Sequence, residues 1–180
     1  MSTFNIPTRN EVSAGNQAIF DQLEKGLGFV PNLYATFAHS ENALGNFLGY
    51  ANGKTSLTAK EKEVIDLAVS EVNGCSYCLA AHTAIAKGAG FTEGQTLEFR
   101  EGYSSANAKY DALATFASET AAQRGKPSAE AVDALLKVGY TRENIVDAIL
   151  AISQITLTNY LHGITKVAVD FPTAPELALA

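Results

Sequence analysis

The two cysteines of this chain stand close together as Cys75-Ser-Tyr-Cys78, and the sequence contains no others. Asn73-Gly74 interrupts the helical pattern before them, so both are predicted to lie in the first turn of a new helix. Unpaired backbone N–H groups and the helix dipole favour negative charge at that place. A thiol there should have a lowered pKa, and the thiolate is the nucleophilic form. The pattern therefore predicts a reactive dithiol.

His82 provides a candidate base for this dithiol. It follows Cys78 by four residues, so the two side chains share one face of the predicted helix. An imidazole with a reference pKa of about 6.5 can take a thiol proton near neutral pH. Cys75 lies one turn before Cys78, near enough to form a disulfide with it. The segment thus offers a nucleophile, a base and a resolving thiol.

A carboxylate could orient the histidine, and the sequence offers two candidates. Glu63 precedes the Asn-Gly turn by about ten residues. If the two helices are antiparallel, a rise of ~1.5 Å per residue brings it level with His82. Glu63 points away from the main apolar stripe of its helix, however, so a solvated position is the alternative interpretation. Glu71, nearer the turn, is the competing carboxylate.

Other interpretations of the cysteine pair do not involve catalysis. Two small buried residues in an alanine-rich helix are the simplest of them. A zinc site would use Cys75, Cys78, His82 and Glu63, but structural zinc sites usually have a second Cys/His pair, which this sequence lacks. We therefore expect neither a metal nor another cofactor. Tyr77 is most simply a packing aromatic, although its hydroxyl could contact a substrate.

The rest of the chain has the pattern of an all-α protein. Apolar residues recur at helical spacing, and no alternating strand pattern is present. Capping residues and glycines divide the sequence into helices whose short connections favour antiparallel neighbours. The predicted helices run over about 13–28, 31–37, 40–53, 58–72, 75–90, 105–124, 128–138 and from 141 to before Pro172, and a second capping-box pattern at 92–95 marks the start of one more.

Length and composition define the class of protein. The 180 residues are 47% hydrophobic and 18% charged, which fits one globular domain over 1–180. Within it we expect a motif-bearing core over about 40–125 and flexible arms over about 1–10 and 171–180. The low charge also suggests that a further face is buried by self-association.

Charge and hydropathy exclude several kinds of partner. The net charge of −6 argues against binding to nucleic acid or anionic membranes. The first residues lack the basic and apolar regions of a secretory signal. The most apolar of the long stretches, 145–169, contains several polar and charged residues, so no membrane span is expected. We therefore expect a cytoplasmic protein.

The spacing of the site residues resembles that of a known superfamily. Glu63, eleven residues, Cys75-Ser-Tyr-Cys78, three residues and His82 match the AhpD-like alkylhydroperoxidase / carboxymuconolactone decarboxylase pattern. The run 73–82 is especially similar to the peroxidase-related subgroup, as are Gly28-Phe-Val-Pro-Asn-Leu-Tyr34 and Val169-Asp-Phe-Pro172. The resemblance extends from about residue 15 to 172.

The resemblance implies an AhpD-like helical domain that assembles as dimers, trimers or hexamers. It implies a cofactor-free peroxidase in which Cys78 attacks the hydroperoxide, Cys75 resolves the sulfenic acid, and His82 and Glu63 relay protons. The implied reductant is a lipoyl-protein or a thioredoxin-like dithiol. Tyr77 stands where the best-known members have a histidine, which removes one proton carrier. A general dithiol–disulfide oxidoreductase and a non-catalytic redox or metal-binding module are the alternatives.

Overall fold

The structure is a computed structural model that describes residues 4–177. These residues form nine α-helices and one short 3-10 helix, Arg9–Glu11, and they contain no β-strand. The all-helical class predicted from the sequence is therefore confirmed. The helices are α1 (Ala14–Leu27), α2 (Asn32–Phe37), α3 (Ala43–Ala51), α4 (Ala59–Val72), α5 (Ser76–Gly88), α6 (Glu93–Arg100), α7 (Ala108–Ala122), α8 (Ala129–Lys137) and α9 (Arg142–Thr165).

Local capping interactions set where these helices begin. At α4, the Thr58 hydroxyl accepts the backbone N–H of Glu61 at 3.2 Å, and the Glu61 carboxylate accepts the backbone N–H of Thr58 at 2.8 Å. This reciprocal capping box is the one that the sequence predicts. The start of α7 differs from the prediction at Ser105. The Asn107 side chain caps this helix instead, because its oxygen accepts two backbone N–H groups of the first turn.

The described residues separate into two compact units. The first contains the chain up to Lys54 together with Leu161–Asp170. Its core is built around stacked rings of Phe37 and Phe47, whose centroids lie 4.6 Å apart, and around the fully buried Leu44. The second contains Thr55–Tyr160 and the segment from Phe171 onwards. The predicted motif lies in this second unit.

Helix α4 is the central element of the second unit. It packs against α5, α6 and α7, and its middle turns are buried on every side. A helix covered all round should be apolar all round. Five residues follow that rule with no exposed surface: Val64, Ile65, Leu67, Ala68 and Val69. Three buried positions carry polar groups instead, Glu63, Asp66 and Ser70, and these face the candidate site described below.

The predicted arms are described in part. Residues 1–3 and 178–180 lie outside the described residues. Closer to the helices, the backbone oxygen of Asn5 accepts a hydrogen bond from Nε2 of His39 at 2.9 Å. The backbone oxygen of Pro175 accepts one from Arg100 at 2.5 Å. No helix between residues 4 and 177 combines the length and apolarity that crossing a bilayer requires.

Candidate active site

The turn between α4 and α5 positions the first cysteine. Gly74 adopts a φ of +64°, in the left-handed region that glycine enters at little cost. Its N–H bonds to the carbonyl of Glu71 at 3.0 Å, and the N–H of Cys75 bonds to the carbonyl of Ser70 at 2.9 Å. This pair of bonds is a Schellman motif, which satisfies the last carbonyls of α4. Cys75 therefore ends one helix and begins the next.

The two thiols meet at the start of α5. Cys75 is the N-cap residue, and its Sγ accepts the backbone N–H of Cys78 at 3.4 Å. Both cysteines are reduced, and each is only 3% exposed. The Sγ of Cys78 donates to Oγ1 of Thr158, on α9, at 3.6 Å. A sulfur at an N-cap faces the unpaired N–H groups of the first turn, an arrangement that favours a thiolate.

The pKa of Cys78 departs from the sequence-based expectation. It is raised rather than lowered, first because of its hydrogen bond with Cys75, then because of burial and the negative charge that Cys75 can carry. Two adjacent sulfurs cannot both ionise readily, so the pair holds at most one negative charge. Thr158 and Asn159 act in the opposite direction and lower this pKa.

Glu63 and His82 form a hydrogen-bonded ion pair across the two helices. Oε2 of Glu63 lies 2.9 Å from Nδ1 of His82, and both side chains are largely buried. The residues are nineteen positions apart, so this contact requires α5 to run back along α4. A relay between these two residues required antiparallel helices that bring Glu63 level with His82, and the structure meets this condition. The Glu63 carboxylate fixes the ring orientation by accepting the Nδ1 proton.

A second carboxylate, Asp66, lies at the same imidazole. Its Oδ2 is 3.4 Å from Nδ1 of His82, and the residue is 3% exposed. Burial raises the pKa of Asp66 to about 7; Glu63 adds to the rise, while His82 opposes it. Burial lowers the pKa of His82, but the negative charges of Asp66 and Glu63 outweigh it and raise the value to about 9. His82 is therefore an imidazolium at neutral pH.

Our sequence analysis missed Asp66, although a signal for it was present. It is an acidic residue inside the apolar run 64–69, one helical turn after Glu63. Residues three apart share a helix face, so any partner that reaches Glu63 also approaches Asp66. An acid placed in a helix that is otherwise buried all round indicates a paired or functional carboxyl.

The competing carboxylate, Glu71, has a different partner. Its Oε2 accepts Nε of Arg100, on α6, at 2.7 Å. Tyr77, between the two cysteines, is 3% exposed, and the edge of its ring meets Phe171 with centroids 5.7 Å apart. Tyr77 thus has the packing contact that the simplest interpretation predicts, and its contact with a substrate stays a prediction.

Two polar residues of α9 complete the surroundings of the thiols. Besides Thr158, Asn159 is buried and donates through Nδ2 to the hydroxyl of Ser70 at 3.1 Å. Its Oδ1 accepts Nδ2 of Asn73 at 2.8 Å. These residues follow the cysteines by about eighty positions, and no local spacing links them to the motif. Only the tertiary structure brings them together.

The four zinc ligands considered above do not form one set. Among the residues described, one group of ligand-type atoms lies within a common 4.8 Å, namely Glu63, Asp66 and His82, without either cysteine. With Nδ1 of His82 donating to Glu63, a cation could bind this atom only after displacing its proton. The arrangement is an ion-paired cluster suited to holding and moving protons.

Comparison with known protein families agrees with the resemblance seen in the sequence. Residues 38–117 match the model of the carboxymuconolactone decarboxylase family. This segment contains α4, α5 and every candidate residue of those helices. No curated protein shows significant similarity to the sequence.

Solved structures share the fold over almost the whole chain. An uncharacterized peroxidase-related protein from Ralstonia eutropha JMP134, described as an alkylhydroperoxidase AhpD core, has a TM-score of 0.84 and 22% identity, covering 94% of this chain and 92% of its own. A peroxidase-related protein from Silicibacter sp. TM1040 has a TM-score of 0.81 and 22% identity, with coverage of 93% and 91%. A cysteine-to-alanine variant of the debrominase Bmp8, in complex with 2,3,4-tribromopyrrole, has a TM-score of 0.77 and 19% identity, with coverage of 94% of both chains.

Proposed function

Since the chain belongs to the AhpD-like / carboxymuconolactone decarboxylase superfamily, we propose that it is a thiol-dependent peroxidase that reduces alkyl hydroperoxides with its Cys75–Cys78 dithiol. One observation carries the proposal. The two thiols begin a helix whose next turn presents His82 to Glu63, with Nδ1 and Oε2 2.9 Å apart. Negative charge on Cys75 raises the pKa of His82, so the dithiol and the ion pair interact electrostatically.

The reaction needs a nucleophile and a proton donor. Cys78 acts as the nucleophile: its Sγ loses a proton, attacks one peroxide oxygen and breaks the O–O bond, giving a sulfenic acid. The alkoxide that leaves must be protonated to the alcohol. An imidazolium held by Glu63 is a suitable donor, because its raised pKa keeps it protonated at neutral pH. His82 then serves as the proton shuttle of the site.

Cys75 completes the oxidative half of the cycle. Its thiol attacks the sulfenic sulfur of Cys78, a disulfide forms and water leaves. Closure is fast when the two sulfurs are already neighbours, and here Sγ of Cys75 accepts the N–H of Cys78 itself. An external dithiol, on a lipoyl-protein or a thioredoxin-like protein, would reduce the disulfide and become oxidised in turn. We further propose that the protein is a cytoplasmic homo-oligomer.

The direct test follows the thiols during one turnover. The metal-free reduced protein is mixed with one equivalent of cumene hydroperoxide, and thiol loss is recorded for the wild type, Cys78→Ser and His82→Ala. We expect one intramolecular disulfide in the wild type, none in Cys78→Ser, and a rate at least about tenfold lower in His82→Ala. Wild-type thiols that react no faster than a free small-molecule thiol would overturn the proposal.

Two further oxidants separate peroxide reduction from other uses of the same dithiol. A protein disulfide that oxidises the pair faster than cumene hydroperoxide does would favour a general dithiol–disulfide oxidoreductase. Bromide release from 2,3,4-tribromopyrrole, with one disulfide formed per bromide, would indicate a dehalogenating activity like that named for Bmp8. A peroxide rate that exceeds both supports the proposed function.

A further inference from the structure

The ion pair between Glu63 and His82 does not require a second acid, yet the buried Asp66 lies beside it. The residue is 3% exposed, in the middle of the central helix α4. One of its oxygens, Oδ2, lies 3.4 Å from Nδ1 of His82. The other, Oδ1, is buried and has no hydrogen-bond partner among the residues described. Burial of an ionised carboxylate with one unpartnered oxygen is costly, so this position favours the protonated carboxyl.

The geometry places two carboxylates around a single N–H. Nδ1 of His82 has one proton, which Glu63 accepts at 2.9 Å, while Asp66 lies at the longer distance of 3.4 Å. With all three groups ionised, the cluster has a net charge of −1. One more proton on Asp66 makes it neutral. Because like charges in a buried site oppose each other, the cluster takes up that proton readily, and the farther carboxylate is the one that receives it.

We propose that Asp66 is a positioning residue of the relay: it takes up a second proton beside His82, so that the cluster can accept the thiol proton while His82 stays an imidazolium. The inference rests on the proposed function for the origin and destination of that proton. When the S–H bond of Cys78 breaks, one proton enters the cluster. When the peroxide O–O bond breaks, one proton leaves it for the alkoxide. The cluster ends the step with its original number of protons.

The pKa values agree with this geometry. Burial raises the pKa of Asp66 to about 7, whereas the two carboxylates raise that of His82 to about 9. Between these values, His82 is protonated and Asp66 is an acceptor. A carboxylate with its ordinary pKa of about 4 would hold no proton at neutral pH.

Other charged groups on the elements around the cluster have identified contacts. Lys62, on the same helix, lowers the pKa of Asp66, and Cys75, on the facing side, raises that of His82. On α6, Arg100 is paired with Glu71. On α7, the Asp111 carboxylate accepts the backbone N–H of Ser104 at 2.9 Å. These contacts leave Asp66 and Glu63 as the two carboxylates in contact with the imidazole.

The test compares Asp66→Asn with Asp133→Asn in the reduced protein without peroxide. Asparagine keeps the size of the buried side chain and removes its charge; Asp133 is an exposed acid on α8 and serves as the matched control. The pKa of the His82 imidazole is read from ¹⁵N chemical shifts, assigned with His82→Gln. We expect Asp66→Asn to lower it by about one unit or more and Asp133→Asn to leave it nearly unchanged. A folded Asp66→Asn protein with the wild-type His82 pKa would contradict the inference.

A second measurement distinguishes a proton-storing role of Asp66 from simple support of the fold. In the pH profile of thiol oxidation by cumene hydroperoxide, Asp66→Asn should lose the ionisation near pH 7 and react about tenfold more slowly there. A pH profile of Asp66→Asn that keeps the ionisation near pH 7 and differs from the wild type only by a lower rate at every pH would overturn the inference. If Asp66→Asn fails to fold, ¹³C-carboxyl spectra of the wild type decide the matter: an aspartate that titrates between pH 6 and 8 supports it, and the absence of one overturns it. These spectra need no peroxide, so they stand even if the proposed reaction fails.

Discussion

Arg100 holds Glu71 by a 2.7 Å ion pair, and this contact leaves Glu63 as the carboxylate that orients His82. Both glutamates lie on α4, and Glu71 is the closer of the two to the turn before Cys75. Nearness along the chain therefore favours Glu71. The tertiary structure decides otherwise, because α6 brings an arginine to Glu71 while α5 runs back past Glu63.

This division gives a matched pair of substitutions on one helix. Glu63→Gln should slow thiol oxidation by cumene hydroperoxide at least about tenfold, because the imidazolium loses a charged partner. Glu71→Gln removes the same charge from the same helix, but the partner of Glu71 is Arg100 and not His82. It should keep a rate within about twofold of the wild type, because Glu71 is paired with Arg100 and not with the imidazole. Single-turnover rates at pH 7 measure both. Equal losses in the two variants would contradict the assignment of Glu63.

Removal of the resolving thiol should trap an over-oxidised nucleophile. In Cys75→Ser, the sulfenic acid on Cys78 has no neighbouring thiol with which to form a disulfide, so excess peroxide should carry it to the sulfinic acid. Mass spectrometry should find a gain of two oxygens on the peptide that contains Cys78. Cys78→Ser is the control and should show little oxidation of Cys75. An unmodified Cys78 thiol in Cys75→Ser would reverse or exclude these roles.

The hydroxyl of Thr158 should help Cys78 to ionise. In the reduced protein it donates to the carbonyl of Ile155 at 2.8 Å and accepts from the Cys78 thiol. When that thiol ionises, the hydroxyl can rotate to donate to it, which accounts for the lowering of its pKa by Thr158. Thr158→Val should therefore shift the pH profile of Cys78 alkylation to higher pH, measured in a Cys75→Ser background. Thr156→Val, two residues earlier on α9, is the control and should leave the profile unchanged.

The protein should become less stable as the pH rises from 6.5 to 9. Folding raises the pKa of His82 from 6.5 to about 9, so the folded state binds this proton more tightly than the unfolded state does. That stabilisation is complete below pH 6.5 and is lost as the pH rises through 9. At about 1.4 kcal/mol per pKa unit, the loss is at most about 3.5 kcal/mol. Urea unfolding of the reduced protein should show the decrease, and His82→Gln should flatten it. A free energy of unfolding that rises over this range would contradict the ion-paired cluster.

The turn that places Cys75 should depend on glycine at position 74. Gly74 has a φ of +64°, which an L-residue adopts at a cost of about 1 kcal/mol, although a Cβ there would meet no atom within 4 Å. Gly74→Ala should therefore lower the free energy of unfolding by about that amount. Gly49→Ala, also with open space around the added Cβ but inside α3, should be neutral or stabilising. Chemical denaturation of the two variants measures the difference.

The sequence by itself determined the features that depend on neighbouring residues. Helix periodicity and capping boxes such as Thr58–Glu61 act within a few residues, so the all-helical class and most helix starts could be predicted. The same holds for the dithiol at the start of α5, because Asn73-Gly74 forces the chain to reverse there. The spacing of Glu63, the cysteines and His82 also indicated the superfamily.

Only the tertiary structure decided which distant groups surround the dithiol. Periodicity gives the face on which a side chain lies but not the partner that the face meets. Arg100 comes from α6 and Thr158 from α9, and neither position could be inferred from the motif. The direction of the Cys78 pKa was likewise decided by burial and by contact with the second sulfur, which outweigh the helix terminus. Energies of this kind depend on distances through space, and these are fixed only when the helices pack.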